Sequence, residues 1–222
     1  MGTTVGKAFL TLAGTPMAVY SLRTLSSVSD VAAITLVVAA DHIETATSIV
    51  HQHGPWPRPI RLTPGGAERQ DSVAAGLSLV DPAAEVVIVH DAARPFASAS
   101  CVQACIDAAL STGAAIVAVP ARDTIKVVDP QAVVRQTLDR RNIWLAQTPQ
   151  VFRAVLLRQA YERAQRDGYI GTDDAALVER VGGTVRVVPG DWANRKITTP
   201  DDLHWAEWYL RTQGRTVPSG LN

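Results

Sequence analysis

The stretch EVVIVHDAARP at residues 85–95 joins a buried-strand pattern to a group of polar residues. Its first part, Glu85–His90, is a nearly continuous run of apolar, β-branched residues, which is typical of a strand covered on both faces. Strands of this kind form parallel sheets between helices, and such sheets bind ligands beyond the carboxyl ends of their strands. Asp91 and Arg94 therefore lie where a ligand is expected.

The sequence on both sides continues an alternation of strands and helices. Further strands are predicted at Ala32–Ala39, Arg58–Leu62, Ala114–Pro120 and Thr184–Val188. Helices are predicted at Pro16–Ser27, His42–Gln52, Gln70–Leu79, Ser98–Ser111, Arg153–Arg166, Asp173–Val181 and Thr199–Thr212. This order predicts an α/β fold with a mainly parallel sheet between two helical layers. Because no linker or repeat interrupts it, residues 1–222 are expected to form one domain.

The stretch Asp123–Leu138 departs from this alternation. It is interpreted as two short strands, Thr124–Val128 and Ala132–Thr137, joined by a turn at Pro130. A two-stranded ribbon has little core of its own and is marginally stable alone. We therefore expect a β-arm at about residues 122–144 that packs against a second subunit.

Composition excludes several classes of protein. The 222 residues carry 21 Lys and Arg against 21 Asp and Glu, which argues against a nucleic-acid-binding domain. No apolar run approaches the roughly 18 residues that cross a bilayer, and the amino terminus does not resemble a signal peptide. Cys101 and Cys105 are expected to be buried apolar residues, because no further ligands complete a metal site. A cytoplasmic location is the expectation.

Only three of the 21 cations are lysines: Lys7, Lys126 and Lys196. An ammonium group is a compact, mobile point charge that suits phosphate chemistry, although a skewed composition would also leave a few lysines. The run from Gly2 to Lys7 looks like a phosphate-binding loop. It is one residue too short, and Ala8 stands where a Ser or Thr would hold magnesium, so a Walker loop is rejected.

Three segments contain candidate site residues. Asp91 suits Mg²⁺, the small Ala92 allows close approach of a ligand, and Arg94 offers a phosphate fork, although a helix-capping Asp beside a surface Arg would look the same. Gly66 and Ser72 form a glycine turn and the first turn of a helix, a common pattern with or without a ligand. Lys196 precedes the last helix and is a weaker phosphate candidate.

Together these segments resemble the 2-C-methyl-D-erythritol 4-phosphate cytidylyltransferases over nearly the whole chain. The matching stretches are GKAF (6–9), GGAERQDSV (65–73), HDAARP (90–95), RDTIK (122–126), LDR (138–140), QTPQ (147–150), TDDAALVE (172–179) and NRKITTPDDL (194–203). The resemblance implies a Rossmann-like α/β domain with a β-arm that embraces a second subunit. It also implies cytidylyl transfer from CTP to methylerythritol phosphate with Mg²⁺, releasing pyrophosphate, in isoprenoid biosynthesis.

The resemblance assigns roles to individual residues. It implies Lys7 and Lys196 as catalytic cations, Asp91 as the metal ligand, Gly66, Ser72, Asp91 and Ala92 as nucleotide contacts, and Arg94, Thr124, Arg140 and Thr148 as substrate-positioning residues. Thr124 and Arg140 would act in the site of the neighbouring subunit of a homodimer. Lys126 receives no role.

One departure from the family concerns the amino terminus. Family members begin with a strand and a glycine-rich loop, P-A-A-G-x-G-x-R, whereas this sequence starts just after that Arg. Loss of a central strand would leave two sheet edges unpaired, so the chain either begins at an internal methionine of a longer protein or is a degenerate relative. We expect the former, because every downstream motif is intact. The alternatives are a non-catalytic nucleotide-binding relative and an enzyme for another polyol phosphate, such as ribitol 5-phosphate. An NAD-dependent oxidoreductase is disfavoured because no G-x-G-x-x-G follows a strand.

Overall fold

The computed structural model describes residues 6–213, apart from the side chain of Lys7. The strands are β1 (Thr11–Leu12), β2 (Thr15–Pro16), β3 (Ile34–Val38), β4 (Ile60–Pro64), β5 (Val86–Val89), β6 (Ala114–Pro120), β7 (Lys126–Val128), β8 (Val134–Thr137), β9 (Trp144–Arg153) and β10 (Val185–Pro189). The α-helices are α1 (Met17–Ser27), α2 (Ile43–Gln52), α3 (Arg69–Ser78), α4 (Ala99–Thr112), α5 (Ala154–Asp167), α6 (Asp174–Arg180) and α7 (Pro200–Thr212). Each predicted helix is confirmed, with both ends within one residue of the prediction.

The largest sheet is mixed, which corrects the prediction of a mainly parallel sheet. Its strand order is β10-β6-β9-β5. β10 runs parallel to β6, whereas β9 runs antiparallel to both β6 and β5. The sequence did not predict β9, since its middle carries the polar run QTPQ. The chain returns from the arm directly along β6, and such a direct return gives an antiparallel pair.

β3 and β4 form a separate parallel pair. Among the described strands, β3 pairs with β4 alone and β5 pairs with β9 alone, so each keeps one unpaired edge. Apolar residues of β3 and β5, such as Leu36 and Ile88, nevertheless belong to the same hydrophobic cluster. This arrangement agrees with the expectation of two unpaired edges in the sheet.

Two hydrophobic clusters place helices on both faces of the four-stranded sheet, as predicted. α1 and α4 pack on one face, where Val102 and Ile106 meet Val117 of β6. α5 and α6 pack on the other face, where Leu157 and Phe152 are fully buried. Within residues 6–213, no helix is long and apolar enough to cross a membrane.

The two cysteines lie on α4 among these apolar contacts. Cys105 is fully buried, and burial raises the pKa of its thiol to about 12. Cys101 is half-buried. Cys105 therefore packs as a small buried apolar side chain, as the sequence predicted, whereas Cys101 is only partly buried.

The predicted ribbon is present as the antiparallel hairpin of β7 and β8. The Asp129 carboxylate shapes its turn by accepting hydrogen bonds from the backbone N–H groups of Gln131 and Val133. Lys126 donates to the Thr137 hydroxyl across the hairpin at 2.7 Å. Four valines of the hairpin are about half exposed: Val127, Val128, Val133 and Val134. The arm therefore presents apolar surface that its own chain does not cover.

Candidate active site

Asp91 lies just beyond the carboxyl end of β5, as the sequence predicted. Its backbone N–H donates to the Thr148 hydroxyl of β9 at 2.9 Å, and the N–H of Arg94 closes the turn by donating to the Asp91 carbonyl. Ala92 follows in the same turn, and its carbonyl accepts from the Ser21 hydroxyl of α1. These contacts attach the turn to both neighbouring elements and fix the direction of the Asp91 side chain.

His90 completes the support of this turn. Its Nδ1 lies 3.1 Å from the Thr148 hydroxyl oxygen, and its Nε2 lies 3.2 Å from the Arg94 carbonyl oxygen. The carbonyl accepts only, so Nε2 carries the proton and Nδ1 accepts from Thr148. Burial lowers the pKa of His90 to about 4. The imidazole is therefore neutral near pH 7 and acts as a fixed hydrogen-bonding bridge.

Three cations surround the Asp91 carboxylate, whose side chain is 15% exposed. Lys196 Nζ lies 3.1 Å from Oδ2, and the Nε atoms of Arg69 and Arg94 lie 3.4 and 3.5 Å from Oδ1 and Oδ2. Burial alone would raise the pKa of this carboxyl, but the charges of Lys196, Arg69 and Arg94 outweigh burial and lower it. The cluster carries an excess of positive charge, which suits an anionic ligand.

Lys196 reaches this cluster because its segment is attached to the Asp91 turn. The Ile197 N–H donates to the Ala93 carbonyl at 2.8 Å, and Arg94 Nη1 donates to the Asn194 carbonyl at 3.0 Å. Asn194 is itself buried and donates to the Thr148 carbonyl at 2.9 Å. From the sequence, Lys196 could be assigned only to a loop before the last helix. In the structure these contacts bring it beside Asp91, which lies 105 positions earlier in the chain.

The glycine turn before α3 is tightly folded. The Gly66 N–H donates to the Ser72 hydroxyl at 3.2 Å. A Cβ atom on Gly66 would lie 2.3 Å from Cβ of Asp71, and one on Gly65 would lie 2.5 Å from the Ser72 hydroxyl oxygen. Gly66 therefore requires glycine, whereas a side chain at Gly65 would force the Ser72 hydroxyl to move. Arg69, at the start of α3, links this turn to the Asp91 cluster.

Sequence reasoning missed the role of Arg69 and of a buried acid behind it. Arg69 Nη2 donates to Asp174 Oδ2 at 2.7 Å, and the Tyr161 hydroxyl donates to Asp174 Oδ1. Arg69 and Asp174 occur in the motifs GGAERQDSV and TDDAALVE, so the resemblance marked both positions without indicating that they meet. The spacing of 105 residues gives no local signal of the contact.

Comparison with known proteins decides the family. The model of the family 2-C-methyl-D-erythritol 4-phosphate cytidylyltransferase matches residues 1–212. The chain belongs to this family. It is 41% identical over 211 residues to the cytidylyltransferase of that name from Caldanaerobacter subterraneus subsp. tengcongensis, covering 95% of this chain and 93% of the relative. It is 45% identical over 215 residues to that from Symbiobacterium thermophilum, covering 97% and 89%.

Solved structures agree with this membership of the cytidylyltransferase family. The 4-diphosphocytidyl-2C-methyl-D-erythritol synthase from Anaerococcus prevotii superposes with a TM-score of 0.85 at 32% identity, over 92% of this chain and 93% of its own. The 2-C-methyl-D-erythritol 4-phosphate cytidylyltransferase from Thermus thermophilus superposes with a TM-score of 0.77 at 34% identity, over the same shares. The fold is therefore that of the cytidylyltransferases.

Some residues to which the cytidylyltransferase resemblance gives roles lie apart from the Asp91 cluster. Thr124 and Arg140 are exposed on the arm, where Arg140 donates to the Arg122 carbonyl. Within residues 6–213, no hydrogen bond or ion pair joins either residue to Asp91 or Lys196 of the same chain. Thr148 is buried, and its hydroxyl serves the Asp91 turn. These three roles remain predictions.

Lys7 begins a 3₁₀ helix at Lys7–Phe9, next to the hydrophobic cluster that contains Phe9. The position of its ammonium group lies outside the described part of the structure. The roles implied for Lys7, Lys196 and Asp91 require all three to lie at one site, and the structure brings Lys196 and Asp91 together. For Lys7 it stays a prediction.

Proposed function

We propose that this protein is a cytoplasmic enzyme that transfers a cytidylyl group from CTP to 2-C-methyl-D-erythritol 4-phosphate and releases pyrophosphate. The observation that carries this proposal is the Asp91 carboxylate at the strand end, held among Lys196, Arg69 and Arg94, in a chain of this family. Converging phosphates need such a concentration of positive charge, and the adjacent Gly65-Gly66 turn gives a flat base close access to the backbone.

The chemistry requires charge neutralisation more than proton transfer. An oxygen of the substrate phosphate, already anionic, forms a bond to the α-phosphorus of CTP. The bond from that phosphorus to the bridging oxygen breaks, and pyrophosphate leaves with the electron pair. Lys196 and Arg94 would stabilise charge on the phosphate oxygens. Hydrogen bonds to the carbonyls of Ala93, Asn194 and Thr148 attach the Lys196 segment and the Arg94 side chain to the strand end. The two cations are therefore positioned before a ligand arrives.

The donor set fits magnesium brought by the nucleotide. In the described part of the chain, no three His, Cys, Asp or Glu side chains cluster as a metal site. Mg²⁺ commonly uses one or two carboxylates together with substrate phosphates and waters. Asp91 would hold the ion, which supplies charge neutralisation at the phosphate oxygens when bound. Lys196 and Arg94 would then turn from Asp91 to the phosphates.

We further propose a homodimer in which each arm completes the neighbouring site. The exposed valines of the hairpin supply apolar surface for this contact. Thr124 and Arg140 are exposed on the same arm and lack a link to Asp91 in their own chain. Both residues would therefore position methylerythritol phosphate in the partner's site.

A turnover assay with purified protein tests the function. Wild type should release pyrophosphate only when CTP, Mg²⁺ and methylerythritol phosphate are all present. Lys196→Ala and Lys7→Ala should each lower kcat/KM by about 10²-fold or more, because each would remove a positive charge that the proposed transfer needs at the phosphate oxygens. Arg186→Ala, an exposed cation on β10, is the matched control and should stay near wild type.

Three results would redirect this proposal. Faster turnover of ribitol 5-phosphate would assign another polyol phosphate to the same site. Binding of CTP without pyrophosphate release would favour a non-catalytic relative, which the unpaired edges of β3 and β5 make worth testing. Unchanged turnover in both lysine variants would show that the residue assignment is wrong.

A further inference from the structure

Asp174 is a buried carboxylate behind the Asp91 cluster, and the mechanism above does not use it. Its side chain is 1% exposed. It begins α6, while its hydroxyl donor Tyr161 lies on α5, so both belong to the helical layer. A carboxylate at this depth needs a cationic partner and hydrogen-bond donors to offset the loss of solvent. Arg69 and Tyr161 supply them.

Arg69 is shared between two carboxylates. Its Nη2 lies 2.7 Å from Asp174 Oδ2, whereas its Nε lies 3.4 Å from Asp91 Oδ1. The shorter contact is the stronger charge-assisted hydrogen bond. One guanidinium charge therefore pairs mainly with the buried acid, and its contact to Asp91 is the weaker of the two.

The neighbouring residue fixes Arg69 further. The Gln70 side-chain amide donates to the Tyr169 carbonyl at 3.0 Å, and the Gly171 N–H donates to Gln70 Oε1 at 3.0 Å. The first turn of α3 is thereby attached to the segment that leads into α6. These contacts hold the backbone of Arg69 in place. Its guanidinium group can then reach both the Asp91 and the Asp174 carboxylates, and the charges of the two carboxylates decide how it divides between them.

We propose that Asp174 is a positioning residue that draws Arg69 away from Asp91 and so keeps the Asp91 carboxylate available to the nucleotide's divalent cation. This inference rests on the proposed function and deepens it. Without the charge of Asp174, Asp91 is the one anionic partner left to Arg69, and the guanidinium group forms a closer ion pair with Asp91. A metal ion then has to displace a tight ion pair before Asp91 can bind it.

The test measures metal binding apart from turnover. Mn²⁺ is titrated into protein with CTP and followed by electron paramagnetic resonance, while pyrophosphate release is assayed with Mg²⁺. In Asp174→Asn, the half-saturating Mn²⁺ concentration should rise about tenfold or more, because the asparagine cannot balance the Arg69 charge. Tyr161→Phe keeps that charge and removes only one hydrogen bond, so its shift should be smaller.

A double variant distinguishes positioning from a structural role. Arg69→Met combined with Asp174→Asn removes the competing cation as well, and its half-saturating Mn²⁺ concentration should return to the wild-type value or below. Asp167→Asn is the matched control, since Asp167 pairs with Arg163 and Arg180 at the surface and should leave Mn²⁺ binding unchanged.

Two outcomes overturn the inference. One is an Asp174→Asn protein that loses stability or turnover while its half-saturating Mn²⁺ concentration stays within about twofold of wild type. The other is a double variant that needs more Mn²⁺ than wild type, which also decides the matter if Asp174→Asn alone does not fold. Failure of wild type to release pyrophosphate would instead contradict the proposed function, and the Mn²⁺ titration with CTP would still decide the inference.

Discussion

At the scale of the residue, Asp202 shows how one carboxylate fixes a helix start beside the site. It is 7% exposed and accepts hydrogen bonds from the backbone N–H groups of Thr198 and Thr199 at 3.0 and 2.9 Å. Burial alone would raise the pKa of Asp202, but these donors outweigh burial and lower it to about 2. The carboxylate therefore stabilises the fold in its ionised form.

This shift predicts a pH-dependent stability. The folded pKa lies below the unfolded value of about 3.9, so the contribution of Asp202 is complete above pH 4 and is lost as the pH falls toward 2. Asp202→Asn should lower the free energy of unfolding by about 2 kcal/mol at pH 7. The difference from wild type should narrow below pH 4 in urea titrations followed by circular dichroism.

Asp201→Asn is the control, because Asp201 is an exposed acid in the same helical turn. The free energy of unfolding of Asp201→Asn should stay within about 0.5 kcal/mol of wild type at pH 7 and at pH 3. An Asp202→Asn deficit of equal size at pH 7 and pH 3 would contradict the assigned role of the ionised carboxylate.

Sequence reasoning found site residues where the chemistry follows from local position. Asp91 was predicted because a carboxylate after a buried strand lies at the ligand-binding edge of a sheet. Asp174 could not be predicted in this way, because its depth and its contact with Arg69 depend on how α3 and α6 come together. The motifs that carry the resemblance contain both Arg69 and Asp174, but the folded structure is needed to show that the two residues pair.

At the scale of the element, β9 shows why a strand can escape detection. Its polar residues Gln147, Thr148 and Gln150 are buried, contrary to the usual pattern of a strand covered on both faces. Each finds a partner elsewhere: Gln150 donates to Asp173 at 2.8 Å, and Gln147 donates to the Asp191 carbonyl at 3.0 Å. Helices with regular apolar spacing carry their own signal, whereas β9 depends on distant acceptors.

The arm carries a prediction about assembly. Val128 and Val134 are opposite each other in the hairpin, and both are about half exposed. Val128→Asp should weaken the dimer at least about tenfold, because a charge would be buried in an apolar contact. Light scattering after gel filtration measures the change across protein concentrations.

Val155→Asp is the control for this experiment, since Val155 is exposed to 68% on α5 and lies outside the arm. It should leave the molar mass unchanged. A Val128→Asp protein with the same mass and the same dissociation behaviour as wild type would show that the arm is not the dimer contact.

At the scale of the whole molecule, mixed dimers test whether sites are shared. Lys196→Ala and Arg140→Ala should each be nearly inactive alone. In a mixture that exchanges subunits, half of the molecules are mixed dimers, and one of their two sites joins an intact Lys196 to an intact Arg140 from the partner. Activity should recover to about a quarter of wild type. A mixture as inactive as its components would place Arg140 outside the partner's site.

The separation of the two sheets has a thermodynamic consequence for ligand binding. The helix α3 packs on β3 and β4, and its Leu77 also lies in the cluster of Phe152 and Leu157 on the four-stranded sheet. Arg69 adds an ionic contact to this apolar packing, at a place where the two sheets share no backbone ladder among the described strands. By reciprocity, a nucleotide bound at Asp91 would stabilise the contact between the two sheets, and loosening of the β3–β4 pair would weaken nucleotide binding by the same factor.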